Sequence, residues 1–172
     1  MSRNSMAMRE PERGFTLIEL MVGLGIMAFL LLMAMPGIQG QLMDTKIRVA
    51  AQSYHDGAQM ARSEALRRTQ DVNLSLSDSN RAWDVAVGGT TVASKSAEAA
   101  STLTVQASAS LVTFNSRGEA SANNMVDFMP ANADSCLASG GSRRCLRVLI
   151  STGGQVRLCD PTVSADGDNR KC

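Results

Sequence analysis

Aromatic side chains are scarce in this sequence, at 3% of 172 residues, with one tryptophan and one tyrosine. Proteins that bind single-stranded nucleic acid without sequence preference commonly stack the bases on aromatic rings. So few rings argue against such a stacking surface. The core must instead be built from aliphatic and small side chains.

Neither sign of charge dominates, because the sequence has 17 lysines and arginines and 16 aspartates and glutamates. A chain this balanced is not expected to act mainly as a basic coat on nucleic acid or on an anionic membrane. A local basic patch remains compatible with the balance.

Histidine is nearly absent, since His55 is the single one. It falls on the expected exposed side of a helix, which gives a Ser-His-Asp arrangement little support. Asp166 and Asp168 stand among turn residues, which favours solvated carboxylates over a catalytic pair. We therefore predict that the chain is not an enzyme and needs no cofactor.

The sequence does contain one long apolar run, from Phe15 to Met35, with Glu19 as its one charge. As a helix this run is about 30 Å long, enough to cross the hydrocarbon core of a bilayer. A secretory signal peptide fits less well, because the run is long and no small-x-small cleavage site follows it; a plain signal anchor stays open. The basic segment before the run predicts a cytoplasmic N-terminus, with everything after Pro36 on the other side.

The junction Gly14-Phe15-Thr16-Leu17-Ile18-Glu19 follows a short basic leader, residues 1–14. It resembles the prepilin peptidase site of type IV pilins and of type II secretion pseudopilins. The resemblance implies that a prepilin peptidase cuts after Gly14 and that the new amine of Phe15 is methylated.

A carboxylate such as that of Glu19 raises the free energy of an apolar helix in a bilayer, most at the bilayer centre and less near the interface. Ionisable residues in membrane-spanning segments are therefore usually functional. The resemblance implies that Glu19 pairs with the free amine of the neighbouring subunit's first residue during filament assembly. Such a pair would select the register, because a misaligned subunit leaves a charge unpaired in apolar surroundings. The alternative is that Glu19 lies close enough to the headgroups to stay solvated.

A second helical pattern follows Pro36-Gly37, where we expect a kink or local melting. Apolar and small residues recur there at spacings of four and three, which predicts one narrow helix face. They are Ile47, Ala51, Tyr54, Ala58, Ala61 and Ala65. We expect residues 15–36 to be the transmembrane or filament-core half of one long helix, and residues 37–70 its amphipathic half.

Residues 71–172 are predicted to form a β-rich domain, because short segments of alternating apolar and polar residues are separated by glycine-containing turns. The segments begin near Val72, Trp83, Leu103, Leu111, Met125, Cys145 and Gln155. The Ser/Ala/Thr-rich stretch 93–110 blurs the strand edges. We predict an α+β, pilin-like fold, in which the long helix packs on an antiparallel β-sheet of about seven strands.

Three stretches resemble the GspH/FimT group of minor pilins and minor pseudopilins. They are Ala61–Arg68 followed by Val72-Asn73-Leu74, Leu111–Gly118, and Val148–Ser151 with Gly154–Pro161. In this order, after a prepilin site, they cover most of the chain. The resemblance implies a minor pilin that supports pilus assembly; the alternative is a minor pseudopilin of a type II secretion system.

Four cysteines fall late in the chain, at positions 136, 145, 159 and 172, and permit three pairings. The local pairing, Cys136 with Cys145 and Cys159 with Cys172, closes two short loops worth about 2–3 kcal/mol each on the chain-entropy model. An oxidising periplasm would support disulfides. Zinc is the competing interpretation, but no C-x-x-C exists and His55 is remote, so no metal site is predicted.

A local basic patch follows Cys136, where six basic residues outnumber three acidic ones. The FimT branch is associated with DNA binding through a Gly-Arg-x-Arg motif, and this chain reads Gly154-Gln155-Val156-Arg157, without the first arginine. A missing cation should weaken affinity and flatten its salt dependence. The candidate residues are Arg143, Arg144, Arg147, Gln155 and Arg157. An ordinary solvated arginine face is the alternative.

The expected partners follow from the resemblance: the prepilin peptidase, major and minor pilins, the inner-membrane assembly platform and, as a further candidate, double-stranded DNA. The expected location is the inner membrane, crossed once, with a periplasmic C-terminal domain that reaches the extracellular pilus after assembly.

Overall fold

The computed structural model describes residues 15–132 and 136–172. It starts with one helix, α1 (Leu17–Arg68), which eight strands follow. The strands are β1 (Val72–Ser77), β2 (Ala82–Val87), β3 (Thr90–Lys95), β4 (Leu103–Ala107), β5 (Leu111–Phe114), β6 (Asn124–Pro130), β7 (Leu146–Ile150) and β8 (Val156–Cys159). Short 3₁₀ turns lie at Ala97–Ala100 and Leu137–Ser139. The leader, with Gly14, falls outside the described residues.

The chain divides into two compact units, which meet between Gln39 and Gly40. In the first unit, α1 exposes its large apolar side chains along its length, from Leu17 at 77% to Met33 at 68%. Soluble monomers rarely expose a continuous apolar surface of this kind.

Within the described part of the chain, no helix combines the length and the mean hydropathy needed to cross a membrane.

Helix α1 runs without a break through Pro36 and Gly37. The expected local melting therefore does not occur. Proline removes one backbone donor from the helix, and the hydrogen bonds on either side of it are enough to keep the helix continuous.

The first sheet has the strand order β3-β2-β1-β5, with every neighbouring pair antiparallel. Its central strand β1 alternates buried and outward side chains, because Val72, Leu74 and Leu76 point inward. This is the period-two pattern that the sequence showed.

The second sheet has the order β4-β6-β7-β8 and is also antiparallel. Its buried face carries Val126, Phe128, Val148 and Ile150. On the opposite face, the register places Asp127 opposite Arg147 and Leu149 opposite Arg157.

The core of the second unit lies between α1 and the two sheets. The helix contributes mostly alanines, and Ala51, Ala58, Ala61 and Ala65 are all at 0% exposure. Gly57 extends this close approach, since a Cβ built there would lie 3.0 Å from the ring of Trp83. Small side chains on this face let the sheets pack close to the helix backbone.

The α+β pilin-like fold is confirmed, although the strands number eight and divide into two sheets. The additional strand is β3, whose side chains are half-buried or exposed, so that no apolar alternation marked it. Strand β5 pairs with β1 rather than with β4, its predecessor in sequence. Sequence patterns give strand faces but do not say which strands pair.

Candidate assembly segment and candidate DNA-binding face

The start of α1 is fixed by Thr16. Its hydroxyl oxygen accepts a hydrogen bond from the backbone N–H of Glu19 at 3.3 Å, and its carbonyl accepts one from Leu20 at 3.2 Å. A threonine that binds the third backbone N–H of a helix is a normal N-terminal cap. Phe15, just before it, is 87% exposed.

Glu19 stands in the first turn of α1, next to the positive end of the helix dipole. Within the described residues its carboxylate has no ion-pair partner. A Cβ added at Gly23 or Gly25 would meet nothing within 4 Å. Within the described residues nothing packs on these two glycines, and small residues of this kind in an apolar helix permit the close approach of another helix.

Disulfides join Cys136 to Cys145 and Cys159 to Cys172, with Cα atoms 5.6 and 5.0 Å apart. The second bond ties residues 170–172 to the end of β8. The N–H of Asp160 donates to the carbonyl of Arg170 at 2.7 Å, which reinforces this attachment. Among the described residues, no group of histidine, cysteine and acidic side chains is placed to hold a metal ion.

The predicted basic patch is largely neutralised by local carboxylates. Arg147 binds Asp127 through two nitrogens, at 2.7 and 3.0 Å, and this bond raises the pKa of Arg147. The Arg143 Nη1 atom lies 3.7 Å from Asp44 Oδ1, and the Arg143 guanidinium packs on Gly40.

Two further basic residues, outside the candidate set, are paired within the tail: Arg170 with Asp168 and Lys171 with Asp166. The Arg170 contact lowers the pKa of Asp168 to about 2.

Arg144 and Arg157 are the members of the candidate set that have no carboxylate partner in the described chain. The structure does not bring them together. Arg157 is exposed on the outward side of β8. Arg144 instead lines a groove together with Leu158. Because Arg157 and Leu158 are consecutive in the strand, their side chains point to opposite faces of the sheet. The five candidates therefore do not form one patch.

Gln155, which directly precedes β8, and Arg157 within β8 are two residues apart and both exposed, so that they extend the same outward face. One guanidinium nitrogen of Arg157, Nη2, donates to the carbonyl of Lys171 at 3.2 Å. Arg147 lies diagonally across on β7, with its charge bound to Asp127. This outward face thus presents one unpaired cation next to an exposed neutral glutamine.

Gly154, which begins the Gly-x-x-Arg motif, is required by the backbone. Its φ is +76°, and a Cβ there would collide with the carbonyl oxygen of Gly118. The turn at Thr152–Gly154 therefore packs on the turn at Ser116–Gly118. A hydrogen bond from Ala120 N–H to the Thr152 carbonyl, 3.0 Å, joins the two.

Arg62 of α1 completes this junction, and sequence reasoning gave it no such role. Its Nε would lie 3.1 Å from a Cβ at Gly154, and it is buried with no hydrogen-bond partner in the described chain. No pattern could have found this contact, because the helix and the two turns are far apart in sequence.

Comparisons with known proteins fit this architecture. Residues 50–165 match the family described as type II transport protein GspH, and residues 11–35 match the prokaryotic N-terminal methylation motif.

The chain belongs to the GspH family.

Solved structures of two relatives share the fold of this GspH-family chain. The type IV minor pilin FimU of Pseudomonas aeruginosa has a TM-score of 0.56 at 17% identity, covering 70% of this chain and 96% of its own. The minor pseudopilin EpsH of the Vibrio cholerae type 2 secretion system has a TM-score of 0.52 at 16% identity, covering 69% and 99%. Among curated protein sequences, none matches this chain.

The methylation motif contains Gly14, Phe15 and Glu19, and implies processing as a prepilin. With the GspH match, it places this chain in the family of minor pilins and pseudopilins, with an N-terminal anchor motif. Proteins of this family are structural filament subunits.

Proposed function

We propose that this chain is a minor type IV pilin. Prepilin peptidase cleaves it after Gly14, Phe15 becomes the N-methylated first residue, and α1 carries the subunit from the inner membrane into the filament. The observation that carries the proposal is the apolar first unit, whose side chains are exposed from Leu17 to Met33 around one carboxylate, Glu19. A surface of this kind needs lipid or other subunits to cover it.

The topology that we propose is a single inner-membrane pass by residues 15–36, with the β-rich domain on the periplasmic side. Disulfides between cysteines 136 and 145 and between 159 and 172 agree with an oxidising compartment. Its partners are the prepilin peptidase, the inner-membrane assembly platform, and the major and minor pilins beside it.

A direct test is to recover filaments by shearing from the native host and to analyse the full chain by mass spectrometry. We expect an N-terminal peptide that begins with methylated Phe15, in filaments and at low abundance relative to the major subunit. A chain that keeps residues 1–14, or that never enters filaments, would overturn the proposal.

A pseudopilin of a type II secretion system is the second candidate, favoured by the EpsH match. Deletion of the gene separates the two candidates. Loss of surface pili with normal protein secretion supports the minor pilin. Loss of secretion with normal pili supports the pseudopilin instead.

DNA binding is an added role that Arg157 supports, because its charge is exposed and unpaired. Backbone phosphates are bound by such exposed cations, and each contact contributes to the salt dependence of binding. Since Gln155 supplies no charge and Arg147 is held by Asp127, we propose weak binding of double-stranded DNA at this face.

A further inference from the structure

A groove of about 370 Å³ lies in the second unit, beside α1 and away from the outward face of β8. Helix α1 contributes Asp44, Arg48 and Gln52 to its lining, and the strand side contributes Arg144, Leu146 and Leu158. This volume is in the range of sites that bind a ligand or a side chain from a partner.

The carboxylates of the groove are already engaged within the chain. Asp44 lies 3.7 Å from Arg143. Asp160 is buried, at 4% exposure, and accepts hydrogen bonds from the backbone N–H and the hydroxyl of Thr162. Each carboxylate keeps its negative charge, while its nearest ion-pair or hydrogen-bond contacts lie within the chain.

Arg48 and Arg144, by contrast, are exposed and have neither an ion pair nor a side-chain hydrogen bond in the described chain. A third cation at the rim, Arg170, is held by Asp168 at 2.7 Å. Three arginines and two aspartates line the groove, which gives the lining a formal net charge of +1, and two of these arginines, Arg48 and Arg144, have no ion-pair partner in the described chain.

Leu146 and Leu158 give the groove an apolar part, because both are only partly buried against the core. Guanidinium groups bind carboxylates through two parallel hydrogen bonds. A partly apolar groove that carries two such groups fits an acidic side chain on a partly apolar segment.

We propose that this groove docks an acidic segment of a different, neighbouring filament subunit. The proposal rests on the proposed function, because it needs a filament in which subunits adjoin. A second copy of this chain is the less favoured source of the acid, because among the described carboxylate side chains of the second unit only Asp71 and Glu98 are both exposed and without an ion pair.

Zero-length cross-linking of filaments from the native host tests the contact. In Arg48→Lys and Arg144→Lys variants of the full chain, a carbodiimide should join the new amine to a carboxylate of another subunit. Peptide mapping by mass spectrometry then identifies the acidic segment. Arg117→Lys is the matched control, because Arg117 is paired with Glu119 of the same chain at 2.7 Å and should give only that internal link.

Charge reversal supplies the second arm. Arg48→Glu combined with Arg144→Glu should lower incorporation into filaments by at least about tenfold, since like charges would then meet in the contact. Arg117→Glu should leave incorporation near the wild-type level. A disulfide-intact periplasmic pool of the double variant shows that it folds.

The outcomes separate the two proposals. Wild-type chain absent from filaments overturns the proposed function and this docking site with it. Wild-type chain present, but with lysine variants that give no new cross-link to another kind of subunit, or a double variant that assembles normally, overturns the docking site alone. A cross-link only to a second copy of this chain also overturns it.

Discussion

At the scale of single residues, Glu19 is the charged residue on which the proposed assembly depends. It is the lone charge of an apolar segment and stands one helical turn after Phe15. In the proposed filament, the cost of an unpaired carboxylate in apolar surroundings makes the amine that pairs with Glu19 the group that selects the register of assembly.

Glu19→Ala should leave cleavage after Gly14 intact and abolish most incorporation into sheared filaments, because the partner amine then loses its counter-charge. Glu19→Gln, which keeps the size, should fail in the same way. Glu98→Ala, an acid of the second unit, serves as the control. Normal filament levels for the Glu19 variants would contradict the pairing role.

Gln155 is the residue that limits the candidate DNA-binding face. Gln155→Arg should increase affinity for double-stranded DNA and steepen the log–log salt dependence by about 0.9, as expected for one further phosphate contact. Arg157→Ala should weaken binding and flatten the slope by a similar amount. The measurement is a salt-series titration of the full chain in detergent.

Gln59→Arg adds the same charge on the exposed side of α1 and is the control for nonspecific attraction. If the affinity for double-stranded DNA rises no more in Gln155→Arg than in this control, the outward face of β8 is not where DNA binds.

At the scale of the elements, the turns at Ser116–Gly118 and Thr152–Gly154 pack on each other and leave little space for a side chain at Gly154. Gly154 lies at φ +76° against the carbonyl of Gly118, whereas a Cβ at its neighbour Gly153 would have only the Ser151 hydroxyl, 3.8 Å away, as a near contact. These adjacent glycines therefore differ in what they tolerate.

Gly154→Ala should lower the free energy of unfolding by about 1–2 kcal/mol from backbone strain alone, and by more from the collision with Gly118. Gly153→Ala should change it by less than about 0.5 kcal/mol. Urea unfolding followed by the fluorescence of Trp83, the single tryptophan, measures both. Equal stability of the two variants would rule out the tight packing of the turns.

The helix face and most strands were predictable, because period-3.6 and period-two patterns reflect which side of an element is buried. Ala51, Ala58, Ala61 and Ala65 lie where that reasoning put them. Partner choice was not predictable. Asp127 pairs with Arg147 only because β6 and β7 are neighbours in register, and that pairing is set by the whole fold.

The same limit applies to the candidate site. Composition identified a basic patch, but neutralisation by Asp44, Asp127, Asp166 and Asp168 depends on contacts between segments or within turns. Arg48 is exposed and lines a groove with Arg144, and this juxtaposition of a helix residue with a loop residue is set by the fold.

For the molecule as a whole, stability of the second unit depends on its last stretch being tied back. The bond between Cys159 and Cys172 holds the segment whose carbonyl at Lys171 accepts from Arg157. Loss of this bond should loosen the tail and leave the sheets in place.

Replacing Cys159 and Cys172 together by serine should lower the free energy of unfolding by about 3 kcal/mol, as for a loop of this length. The measurement is the urea midpoint of the full chain in detergent, beside the matched double variant at Cys136 and Cys145. An unchanged midpoint would show that the tail contributes nothing to stability.

The order of the cysteines has a consequence for export. Each bond joins cysteines that are consecutive along the chain, Cys136 with Cys145 and Cys159 with Cys172. In the proposed periplasmic topology, an oxidase that acts on each pair of cysteines as it emerges from the translocation channel makes both native bonds directly. Production of the subunit should then depend on a disulfide-forming oxidase but not on a disulfide isomerase.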